Sequence, residues 1–161
     1  MQLELIPPVA IANGTHKYVH IELRLATRAT AGASIADVAT KRIVRSYRGL
    51  KSHAENYRVA MQRTLATLAT AVTQMREREV TTVSATAGTS SGPGADADSV
   101  LRGLGGRVIG GGRITCDHER RVVSVFGYSR TFGRSAGCNK RTAGLISTHM
   151  RYKVAWSDDG Y

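Results

Sequence analysis

Apolar and polar positions alternate most regularly between Lys17 and Leu25. Val19, Ile21, Leu23 and Leu25 fall on one side of the chain, and Tyr18, His20, Glu22 and Arg24 on the other. A period of two predicts a strand with one face on a core and one toward solvent. Upstream, Leu3-Glu-Leu-Ile6 is a short apolar run closed by Pro7-Pro8 and predicts an edge strand, since proline cannot donate to a ladder. Asn13-Gly14 predicts a turn, and residues 27–40, rich in Ala, Thr, Gly and Ser, a loop; a basic strand over 41–48 follows. The period then changes. Tyr57, Met61, Leu65, Leu68, Val72 and Met75 recur every three or four residues, which predicts an amphipathic helix with one core-facing stripe, ending near Arg78.

Ser84 to Asp98 is low-complexity, with too little apolar content to pack, so a flexible insertion is expected at about 84–104. Strand character returns over Gly105–Cys116, interrupted by glycines. Asp117-His-Glu-Arg120 predicts a hairpin turn, and Arg121–Ser129, apolar on both faces, a central strand. A shorter helix over Asn139–Met150 and a last strand over Tyr152–Trp156 follow. Six strands and two helices without strict alternation predict a single α/β (α+β) domain over residues 1–161, a six-stranded mixed sheet with one helix packed on each face.

The most informative junction is where the basic strand gives way to the long helix. Ser52 followed three residues later by Glu55 is the pattern of a capping box, with the hydroxyl accepting from the N–H of Glu55 and the carboxylate reaching back to that of Ser52. His53 then lies in the first helical turn, at the positive end of the helix dipole. That position favours the neutral imidazole, able to take a proton or attack phosphorus. A helix start also favours a bound anion such as phosphate.

Charge changes the picture more than composition does. The 161 residues carry 42% hydrophobic residues, ordinary for a globular chain, but a formal net charge of +11, which implies an anionic partner without choosing among nucleic acid, acidic membrane and phosphorylated protein. Cys116 and Cys138 have no metal or redox spacing, and the pairs His16/His20 and Cys116/His118 complete no zinc set, so no metal site is expected. No run reaches membrane-spanning length, and Met1–Pro8 lacks the basic start of a signal peptide. A cytoplasmic protein with reduced thiols and no membrane partner is expected.

Six stretches resemble the Janus family of protein phosphohistidine phosphatases, in that family's order: His16-Lys-Tyr-Val19, Arg42-Ile-Val-Arg-Ser-Tyr47, Ser52-His-Ala-Glu-Asn-Tyr57, Gly110-Gly-Gly-Arg-Ile114, Phe126-Gly-Tyr-Ser129 and Val154-Ala-Trp-Ser-Asp-Asp-Gly-Tyr161. The resemblance implies a metal-independent, cofactor-free phosphatase acting on phosphohistidine-containing proteins, with some activity on phospholysine. By position it places the essential histidine on His53, the phosphate-contacting lysine on Lys17, and the segment that wraps the phosphate on Ser129, Arg130 and Thr131. Arg130 and Thr131 stand where smaller or apolar residues are usual after that serine, and Ser52 where an aromatic residue often precedes the histidine.

Other candidates are read from residue type. Arg45 and Arg113 are expected to shape the pocket or brace it through carboxylates such as Asp158 or Asp159, with surface ion pairs as the alternative. For Gly110-Gly-Gly112 a bulge or close backbone approach is expected, with a phosphate nest as the alternative. The competing function is a non-catalytic basic module binding nucleic acid or phosphorylated proteins. Against nucleic acid stand the lack of an RNP-like run, a helix-turn-helix or a zinc finger, and an aromatic content of only 6%. Without an evident exposed apolar interface, a monomer is expected.

Overall fold

The computed structural model describes residues 2–26, 38–83 and 103–159. Six strands form one sheet: β1 (Val9–Ile11), β2 (Gly14–Ala26), β3 (Val38–Ser46), β4 (Leu104–Asp117), β5 (Val122–Phe126) and β6 (Lys153–Trp156). Their order is β1-β3-β2-β4-β5-β6. The pairs β1/β3 and β5/β6 are parallel and the rest antiparallel, so the sheet is mixed, as expected. Two helices, α1 (His53–Val83) and α2 (Cys138–His149), cover opposite faces.

Those faces hold separate apolar clusters. Val19, Ile21, Leu23, Leu25 and Ile43 pack with Ala60 and Leu68 of α1. Tyr18, Val44, Ile114 and Val125 pack with Cys138, Ala143 and Ile146 of α2. The alternation of β2 is therefore real, but its first half is not half-buried: α2 also seals Tyr18 and His20, which are 0% and 1% exposed. Only Glu22 and Arg24 remain outside that cover, as an exposed ion pair.

Several expectations are corrected. Leu3–Ile6 is no strand: Gln2–Leu5 forms a 3-10 turn, in which residues three apart share a side, so Leu3 and Ile6 are buried together. The edge strand, β1, begins only beyond the two prolines. Residues 38–40 belong to β3, while 27–37 lie outside the described residues. Of the expected insertion, 84–102 also lies outside them, and Leu104 already opens β4. On α1 the innermost row is His53, Asn56, Ala60, Thr64, Leu68 and Val72. Small side chains let the helix approach the sheet, Tyr57, Met61 and Leu65 flank that row, and Met75 is 50% exposed. The helix runs past Arg78 to Val83. Strand β5 is fifth in order rather than central; Val123 and Val125 face the core, and Ser124 and Phe126 are only partly covered.

The glycines of β4 mark close approaches, as expected. A Cβ at Gly110 would fall 1.8 Å from Cys138 Sγ, and one at Gly112 2.7 Å from the Phe126 carbonyl oxygen. The β2/β4 register shifts between His20 and Ile21, whose partners Gly110 and Val108 leave Ile109 as a bulge.

Candidate active site

The start of α1 is built as its sequence predicts, with one change. Ser52 Oγ accepts the N–H of Glu55 at 3.0 Å, which makes Ser52 the N-cap and His53 the first helical residue. The Glu55 carboxylate accepts instead from the Lys51 N–H, at 3.0 Å, one residue before the expected one. This capping holds the ring of His53 against β4, where His53 Nε2 donates to the Gly112 carbonyl at 2.9 Å. A carbonyl can only accept, so the proton of the neutral ring sits on Nε2 and Nδ1 carries the lone pair. His53 is 6% exposed, and burial pushes its pKa below the usual histidine range. The Gly112 bond works the other way, and the charges of Lys17 and Arg113 add to the lowering. A neutral, basic imidazole is the form present at neutral pH.

A pocket of about 100 Å³ opens beside this ring, lined by Lys17, Ser52, His53, Arg113, Tyr128, Arg130 and Thr131. Lys17 and Arg113 are register partners across β2 and β4, so two cations stand directly opposite each other. Like charges so placed repel, and an anion between them removes the repulsion. The Lys17 ammonium also donates to the Lys51 carbonyl at the foot of α1, which fixes it at the pocket. The opposite wall is the turn after β5. Ser129 is fully buried, and its hydroxyl accepts the Phe132 N–H at 3.1 Å, closing the turn that presents Arg130 and Thr131. Phe132 meets Tyr57 edge-on, with ring centroids 6.3 Å apart, so the turn is seated on the helix that carries His53.

The buried amide of Asn139, at the start of α2, ties three segments together behind this wall. Asn139 accepts from Tyr18 and donates to the carbonyls of Gly127, at 2.8 Å, and Ser157, at 2.7 Å. It thereby joins the strand of Lys17 to the segment leading into Ser129. Arg45 is not part of the pocket. Its buried guanidinium donates to the carbonyls of Pro7, Pro8 and Val44, at 2.6, 3.2 and 2.9 Å, and fastens the N-terminal turn to β3. The Asp158 carboxylate accepts the Asn139 N–H at 3.3 Å, at the start of α2. Ser52 and Tyr128 line the pocket without having been singled out for it. The capping pattern could have flagged Ser52, and Tyr128 lies in the stretch Phe126-Gly-Tyr-Ser129 that carries the resemblance, without a residue-type signal of its own.

Among the described residues no group of three or more His, Cys, Asp or Glu side chains is placed to hold a metal ion, and no helix is long and apolar enough to cross a membrane. His118 of the Cys116/His118 pair is satisfied by Tyr152, at 2.9 Å, and by the Ile11 carbonyl, at 3.0 Å.

The family model described as Janus/Ocnus family (Ocnus) matches residues 3–154. The chain belongs to the Janus/Ocnus family. Within the family's reach, the human protein named 14 kDa phosphohistidine phosphatase is 27% identical over 160 residues, covering 99% of this chain and 96% of its own. The pig protein of the same name is 35% identical over 60 residues, 37% of this chain and 47% of its own. The sex-regulated protein janus-A of Drosophila pseudoobscura pseudoobscura is 29% identical over 76 residues, 47% of this chain and 44% of its own.

Proposed function

We propose that this Janus/Ocnus protein is a protein phosphohistidine phosphatase that hydrolyses the P–N bond of phosphohistidine, and of phospholysine, in proteins. The observation that carries the reading is the pairing of a neutral His53, its proton held on Nε2 by Gly112, with two opposed cations in one small pocket. Its family and the names of its relatives support the same chemistry.

A phosphoramidate is labile, so the protein needs only to neutralise the phosphoryl oxygens, place a nucleophile and let the imidazole leave. Lys17 and Arg113 supply positive charge to the three oxygens, and the turn carrying Arg130 and Thr131 closes the other side. These cations do the work for which other phosphatases recruit a metal ion, so the reaction proceeds without one. His53 Nδ1 takes a proton from the attacking water; the new O–P bond forms as the P–N bond breaks, and the leaving nitrogen takes up a proton. The same lone pair can attack phosphorus itself, and acid-quenched trapping of a phosphorylated protein separates the two routes. Substrates are phosphohistidine-containing proteins, met by a monomer in the cytoplasm.

The test is phosphate release from a phosphohistidine peptide in the presence of a chelator, with a phosphoserine peptide and salt-titrated nucleic acid binding alongside. Release from the phosphohistidine peptide is expected. No release, with nucleic-acid affinity that falls steeply with salt, would replace the enzyme with a basic binding module.

A further inference from the structure

The pocket beside His53 uses few of the chain's cations, and a larger concavity lies on the other face of the sheet. It has a volume of about 300 Å³ and is lined by Glu22, Arg42, Arg107, Ser135 and Arg141, with the bulge at Val108 and Ile109 as its floor. Glu22 on β2 is flanked in register by Arg42 on β3 and Arg107 on β4. Its carboxylate is bound most closely by Arg24, at 2.7 Å, with Arg107 at 3.5 Å and Arg42 at 4.0 Å. Arg24 first, then Arg107 and Arg42, hold that carboxyl below the usual carboxylate range. Arg141 enters from α2, and among the described residues its guanidinium donates to neutral acceptors, the Ala136 carbonyl at 3.0 Å and Ser135 Oγ at 3.2 Å.

Among the described residues the Glu22 carboxylate thus meets three guanidiniums, Arg24, Arg42 and Arg107, and the cavity is lined by Arg42, Arg107 and Arg141. Of these last three, Arg42 and Arg107 stand on the sheet on either side of Glu22 in register. Two residues back along the same face of β2 is His20, 1% exposed, whose Nε2 has no partner among the described residues. The ring lies within the field of Arg42 and Arg141, and burial first of all keeps it neutral, so it adds no charge beneath the cluster.

We infer that this arginine-lined cavity, on the face opposite His53, is a second anion site that takes a small phosphate-type polyanion such as an oligophosphate. Guanidinium forks match phosphate oxygens two at a time, and three of them approaching from β3, β4 and α2 suit an ion with two or more charges better than a single carboxylate. The site does not depend on hydrolysis at His53.

Calorimetric titration with inorganic pyrophosphate tests it, with a doubly phosphorylated serine peptide as a parallel arm. Two binding events are expected for the native protein. Arg42→Ala/Arg107→Ala weakens one by roughly tenfold or more and spares the other, while Lys17→Ala does the reverse. Arg141→Ala, which leaves the Glu22 cluster intact, weakens the same event as the double variant and keeps the test open if that variant fails to fold. Tighter binding of pyrophosphate than of the peptide marks a free oligophosphate as ligand; the opposite order overturns that identity. A single event abolished by Lys17→Ala overturns the second site and leaves the His53 pocket standing. A single event abolished only by the arginine variants upholds the second site and counts against phosphate handling at His53.

Discussion

His53, at the start of α1, and His20, on β2, are both buried histidines, 6% and 1% exposed, and burial is the first cause holding each ring neutral. They differ in what they face. His20 lies under α2 with Nδ1 on Thr142 Oγ1 at 2.9 Å, sealed by the cluster around Tyr18 and Cys138. His53 gives one nitrogen to a backbone carbonyl and keeps the other beside a pocket lined by Lys17, Arg113 and Arg130. Neutrality is common to any histidine denied water. A basic nitrogen in reach of an anion site is what turns it into chemistry, and that depends on where the helix begins.

The two rings should part most widely on substitution. His53→Ala is expected to lower phosphate release from a phosphohistidine peptide by roughly 10²–10⁴-fold, the usual value of a general acid–base group, whereas His20→Gln leaves the rate little changed. Comparable losses in both variants would show that the difference between the faces is not functional.

Acid should separate them in the opposite sense. Burial holds His20 at a pKa of about 4 in the folded chain against about 6.5 when unfolded, so the unfolded state binds more protons between those values. The stability this histidine contributes is intact above about pH 6.5 and falls away toward about pH 4, up to roughly 3 kcal/mol in all. Urea unfolding at pH 7 and pH 4.5 should show a steeper loss for the native protein than for His20→Gln.

Lys17→Ala is expected to reduce kcat/KM by roughly tenfold, the worth of one charge-assisted contact, without unfolding the chain. Unchanged kinetics would remove Lys17 from the site. The smallest effect is at the cap: Ser52→Ala should cost about 1 kcal/mol in thermal or denaturant unfolding. A variant as stable as the native protein would mean that Ser52 does not fix where α1 starts.

Local signals carried much of this arrangement. The alternation of β2, the apolar period of α1 and the Ser52–Glu55 pair fixed a strand, a helix and the point where the helix starts, because each depends on neighbours within a few residues. Long-range packing was not legible. Nothing near Tyr18 or His20 announces that a helix over 100 residues later will cover them. The opposition of Lys17 and Arg113 depends on a register that shifts at the Ile109 bulge, which glycine spacing alone does not place. By residue type Arg45 suits a pocket or a surface ion pair equally, yet the carbonyls of Pro7 and Pro8 claim it, and that contact exists only once β1 lies beside β3. The small row of Asn56, Ala60 and Thr64 was hidden behind the larger flanking residues of α1 because apolar periodicity weights bulk, not depth.

The central claim is a protonation state in a place: a neutral imidazole at residue 53, with its hydrogen on Nε2 and Nδ1 open to an anion. Long-range proton–nitrogen correlation spectra of nitrogen-labelled protein, followed through pH, read this directly. The expected result is the Nε2–H form at neutral pH, a titration midpoint below the ordinary 6.5 of histidine, a rise of that midpoint in Lys17→Ala, and a shift of Nδ1 when inorganic phosphate is added. An Nδ1–H form, or a ring still charged at neutral pH, would contradict it.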